Sequence, residues 1–71
     1  MSITDMLPSY RKSHQHVTDR IHQLEAARDN AIAQRQYDTV SSLGNRLVAL
    51  YDTRRYLNGM IKEIERYGKR I

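Results

Sequence analysis

Residues 40–71 read VSSLGNRLVALYDTRRYLNGMIKEIERYGKRI, and the spacing of the apolar side chains in that stretch decides the fold. Val40, Leu43, Leu47, Leu50, Leu57, Ile61, Ile64 and Ile71 fall on alternating three- and four-residue steps, interrupted only by Arg54 and Gly68. Such a repeat, sustained over more than four heptads, is the seam of a coiled coil. Upstream, Tyr10, His14, Val17, Ile21, Leu24, Arg28 and Ala31 keep the same rhythm with more polar members. Two helices follow. The expected fold is all-α, a long antiparallel hairpin that pairs with a second copy into a four-helix bundle.

The turn is expected at about residues 36–38, between helix 1 at about 9–35 and helix 2 at about 39–69, with residues 1–8 as a lead-in. Asp38 or Thr39 is placed to cap helix 2 by accepting a hydrogen bond from its first amides, and a carboxylate there suits the positive end of the helix dipole. Pro8 either precedes helix 1 or sits in its first turn. Folding back near Tyr37 pairs Ala31 with Leu43, Leu24 with Leu50, Val17 with Leu57 and Tyr10 with Ile64, whose numbers all add to 74. Arg28 with Leu47, Ile21 with Arg54 and His14 with Ile61 add to 75. Both seams thus meet layer by layer across one short turn. The rival is a break at Asn58-Gly59, a common turn signal. The apolar phase passes through it without a slip, so a continuous second helix is expected. Gly44 costs roughly 1 kcal/mol against Ala inside a helix. It is either tolerated there or admits another backbone at close range.

With 71 residues the chain makes one small domain, and a core of that size leaves it marginally stable. Cysteine is absent, which removes disulfides and thiolate metal sites together. Association is the remedy that remains. The first nine residues lack the apolar centre of a signal peptide, and no apolar run has the length of a membrane span, so a soluble, cytoplasmic protein is expected. The net charge of +4 permits nucleic-acid contact without demanding it.

The second helix is broader than one seam requires. Tyr51 falls on one side of that seam, and Met60 and Tyr67 on the other. A hairpin neighbour covers one side, leaving an apolar and aromatic strip of the kind that marks an interaction site. The bland alternative lays each tyrosine flat against the hairpin with its hydroxyl in water. Arg28, Arg54 and His14 stand at seam positions where apolar residues belong. They either set register and partner choice or snorkel to solvent at the edge. Glu25 is a helical neighbour available to Arg28.

Catalytic and metal chemistry find no footing. His14 and His16 are two apart and diverge on a helix, as do Glu63 and Glu65. No His-Glu-x-x-His pattern and no glycine-rich phosphate loop occurs. The densest basic cluster is Arg66, Lys69 and Arg70, which the dipole favours at a helix C-terminus in any case. With Arg54 it is the candidate contact for nucleic acid by shape and charge.

Leu24-Glu25, Ala31-Ile32, Tyr37-Asp38, Val40, Leu43, Asn45, Leu47 and Leu50 together resemble the UVR hairpin motif of nucleotide-excision-repair proteins and related adaptors. The resemblance covers roughly half the chain and departs at Gly44-Asn45, where that family usually carries Arg-Asp. It implies a short antiparallel hairpin used for protein contact and carries over no site residue.

The expected function is that of a small non-enzymatic regulatory or adaptor protein, an inhibitor of its target among the options. It would self-associate as a homodimer and bind a protein through Tyr51, Arg55, Tyr56, Met60, Arg66 and Tyr67, with no cofactor and no metal. The rivals are a basic bundle that binds RNA or DNA through Arg54, Arg66, Lys69 and Arg70, and one subunit of a larger helical assembly.

Overall fold

The computed structural model describes residues 3–69, with Ile3 and Lys69 described by their backbone alone. A 3₁₀ turn at Ile3–Met6 leads into helix α1, Leu7–Ala33, and helix α2 spans Tyr37–Lys69. The two helices pack antiparallel in a rod of 54 × 16 × 14 Å, with no strand among the described residues. At 1.5 Å per residue, the long dimension is that of α2 itself.

The seam is buried as its periodicity requires. Ile21, Leu47 and Ile64 are each 1% exposed, and Leu24, Ala31 and Leu57 are also buried. Ile21, Leu24 and Leu47 form one cluster against which Val17, Leu43, Leu50 and Tyr51 pack. Two cross-helix pairs fix the register: Arg11 meets Glu65, and Tyr51 meets Glu25. Helix α2 runs unbroken through Asn58-Gly59. A β-carbon added at Gly44 or Gly59 would meet nothing within 4 Å, so neither glycine marks a close approach inside the hairpin.

The helix ends differ from the expectation. Helix α1 begins at Leu7, two residues early, with Pro8 in its first turn. The turn comprises residues 34–36 rather than 36–38, so α1 stops at Ala33 and α2 starts at Tyr37. Asp38 and Thr39 therefore lie inside the first turn of α2 instead of capping it from outside, and Asp38 keeps only its favourable place against the dipole. The cause is the way α1 is closed. Gln36 N–H donates to the Ala31 carbonyl at 2.9 Å, and Arg35 N–H to the Ile32 carbonyl at 3.0 Å. That double bond pattern is a Schellman cap, and it needs a left-handed residue at its centre. Arg35 supplies it, with φ of 56°. The position is usually glycine, and an arginine there gives no warning in the sequence.

Gly68, which interrupts the seam, has its own explanation. A β-carbon there would stand 3.0 Å from the Thr4 methyl, so the missing side chain makes room for the N-terminal 3₁₀ turn against α2.

Candidate functional site

Seven-residue steps sort the hairpin surface into two flanks. On one, Arg11, Thr18 and Glu25 of α1 face Glu65, Asn58 and Tyr51 of α2. Arg11 Nη2 donates to Glu65 Oε1 at 2.6 Å, and the Tyr51 hydroxyl donates to Glu25 Oε2 at 2.9 Å. The Arg54 guanidinium lies over the Tyr51 ring, 5.6 Å from its centre. Accepting carboxylate, partial burial and the negative charge of Glu25 hold the Tyr51 hydroxyl above its ordinary pKa of 10.0, while Arg28 pulls the other way. Between the two pairs opens a groove of about 700 Å³ lined by His14, Thr18, Tyr51, Arg54, Arg55 and Asn58.

On the opposite flank the same steps place Met6, Ser13, Arg20 and Ala27 of α1 against Tyr67, Met60, Thr53 and Arg46 of α2. A groove of about 460 Å³ lies there, lined by Asp5, Met6, Ser9, Tyr10, Ser13 and Leu57. Met60, one helical turn beyond Leu57, is half-buried at its edge, and Tyr67 is 53% exposed. Among the described residues, the cross-helix polar pairs between α1 and α2 belong to the Tyr51 flank. Toward the open end of the hairpin the Leu57 flank sets Met6, Tyr10 and Leu57 beside Asp5, Ser9 and Ser13, and toward its middle it is basic.

The seam itself explains this division. Every layer whose numbers add to 74 is wholly apolar, and its members neighbour the Leu57 flank. Each layer adding to 75 holds one polar residue, Arg28, Arg54 or His14, and neighbours the Tyr51 flank. All three are half-buried at the seam edge. Glu25 is engaged by Tyr51, and Arg28 sits instead 4.0 Å from Asp29.

The residues expected to bind a partner are therefore not one patch. Met60 and Tyr67 share the Leu57 flank, with Tyr56, 63% exposed, at its outer margin. Tyr51 and Arg55 belong to the other groove, and Tyr51 is spent on contacts within the hairpin. Arg66 lies on the outer surface of α2, paired with Glu63 at 3.2 Å. Arg54 is separated from Arg66 by the turn of the helix. The Lys69 side chain and Arg70 lie outside the described residues. Sequence reasoning missed Met6, Tyr10, Ser13 and Leu57 as a groove and His14, Thr18 and Asn58 as another. The alternation between pure and mixed seam layers was the available signal.

Among the described residues no group of three metal ligands assembles, and no helix is long and apolar enough to cross a membrane. No known protein family, curated protein or solved structure matches the chain.

Proposed function

We propose that this chain is a non-enzymatic regulatory or adaptor protein of the cytoplasm that works by protein–protein binding through its Leu57 flank, in the manner of an inhibitor that occupies its target's surface. The observation that carries the reading is the asymmetry of the two flanks. One carries the cross-helix polar pairs of the hairpin; the other leaves Tyr10, Met60 and Tyr67 around a groove whose lining is more apolar than polar, with Asp5 at one end and arginines toward the middle. Apolar and aromatic centres depleted of charge are what protein interfaces use. Self-association belongs to the same reading. A second hairpin laid on this flank would continue the heptad packing into a four-helix bundle and add the burial that so short a chain lacks.

The test compares Met60 on the Leu57 flank with Lys62, an exposed residue of α2 outside both flanks. A tagged chain expressed in its native host, alone and as Met60→Lys or Lys62→Glu, is recovered by affinity capture and its oligomeric state measured by sedimentation. The expected outcome is a defined protein target retained by the wild type and by Lys62→Glu but lost by Met60→Lys. Recovery of nucleic acid instead, released steeply as salt is raised, would transfer the function to the basic residues.

A further inference from the structure

The groove on the Tyr51 flank has a composition that the protein-binding reading does not use. Its walls carry Arg54 and Arg55, and among the described residues neither guanidinium has a carboxylate partner. His14 and Asn58 add donors on either side. The Thr18 hydroxyl oxygen is sealed from solvent and has no hydrogen-bond partner. Thr18 is itself one of the residues that line the groove. A buried hydroxyl without a partner is uncommon in a folded chain and calls for a reason.

We propose that this groove binds the phosphate group of a phosphomonoester. Two guanidiniums, an imidazole and an amide line it from both helices, with the unpartnered Thr18 hydroxyl within reach of a rotamer change. That is more than the two oxygens of a carboxylate can engage, and it suits the three terminal oxygens of a phosphate dianion. Both ends of the groove speak against a nucleic-acid strand. Along the flank, one helical repeat to either side stand the carboxylates of Glu25 and Glu65, each already holding a hydroxyl or guanidinium of the hairpin. A polyanion running along the rod would pass both, whereas a single phosphate sits between them. Arg54 already covers the Tyr51 ring, so that face offers no free platform for stacking a base.

The experiment follows backbone amide shifts in the isotope-labelled full chain at fixed ionic strength, titrated with inorganic phosphate, O-phosphoserine, a phosphoserine peptide, acetate and a short single-stranded RNA. The expected result is saturable movement at His14, Thr18, Arg54, Arg55 and Asn58 with phosphate and phosphoserine, and acetate weaker by about fivefold or more. The peptide distinguishes sources. Tighter binding than free phosphoserine assigns the phosphate to a modified protein, and equal binding assigns it to a small metabolite. Arg55→Gln, at an exposed position, should weaken phosphate about tenfold, and Arg66→Gln should not change it. Thr18→Val separates binding from folding. It removes the orphan hydroxyl, so the unliganded chain should melt no lower than wild type while phosphate binds several-fold more weakly. Acetate binding as well as phosphate, shifts that never saturate, or RNA binding tighter than every monoester with shifts spreading past Glu25 and Glu65 would each overturn the assignment.

Discussion

The two flanks of this hairpin are built from the same two helices and the same repeat, yet polar pairs cross between the helices on one and not, among the described residues of the helices, on the other. On the Tyr51 flank, side chains that reach across the seam find each other: Arg11 finds Glu65, Tyr51 finds Glu25, and Arg54 lies on Tyr51. On the Leu57 flank the facing rows hold two methionines, a serine, an alanine, a threonine, a tyrosine and two arginines, and among the described residues no polar pair joins one row to the other. A difference of this kind arises when polar residues enter only one of two alternating seam layers. It teaches that the polar pairs which align the two helices and the more apolar surface are assigned to opposite edges of a common core.

That common core sets the scale for any test of the comparison. Ile21 is 1% exposed in the seam between the helices, so Ile21→Ala should cost about 2–5 kcal/mol of folding stability. For a chain of this size such a loss leaves much of the population unfolded at room temperature. Urea denaturation followed by circular dichroism measures it. A loss smaller than that of any substitution on a flank would mean that the seam is not where the fold is held.

A smaller effect is expected at Tyr51, and it has a pH signature. Tyr51→Phe removes the hydroxyl that donates to Glu25 and should lower the melting temperature by a few degrees at neutral pH. Because the folded chain holds that proton more tightly than the unfolded chain, the associated stability is complete below about pH 10. It is lost as pH rises through the higher pKa of the folded state. In an ultraviolet titration Tyr51 should ionise above the ordinary tyrosine range, and Tyr51→Phe should melt with a flatter dependence on alkaline pH. An unchanged slope would place no special proton at this position and would weaken the claim that polar pairs align the helices on this flank.

How much of this was legible beforehand divides along physical lines. The seam was, because burial of a stripe imposes a period that every apolar residue must obey, and the unbroken phase across Asn58-Gly59 outweighed a local turn signal. The exact turn was not. It depends on one residue, Arg35, taking a left-handed conformation that its side chain does not advertise. Gly68 looked like a gap in the seam because its partner is the Thr4 methyl, brought there by a 3₁₀ turn that no periodicity predicts. The placement of the residues expected to bind a partner was legible only in part. Met60 and Tyr67 share a flank as their spacing requires, whereas nothing in the spacing shows that Tyr51 is engaged by Glu25 and Arg54.

The smallest expected effect concerns the most prominent contact. Arg11 and Glu65 stand 2.6 Å apart near the open end of the Tyr51 flank, with side chains 60% and 40% exposed. At that exposure water screens the pair, and ordering two long side chains offsets much of the attraction. A double-mutant cycle of Arg11→Ala and Glu65→Ala should therefore return a coupling of about 0.5 kcal/mol or less, shrinking further as salt is added. Such a pair specifies alignment more than strength, since it penalises a hairpin slipped by one repeat without deepening the native well. A coupling well above about 1 kcal/mol would imply that the pair is shielded from solvent. Something other than the hairpin would then be covering the Tyr51 flank, and the contrast between the two edges would have to be redrawn.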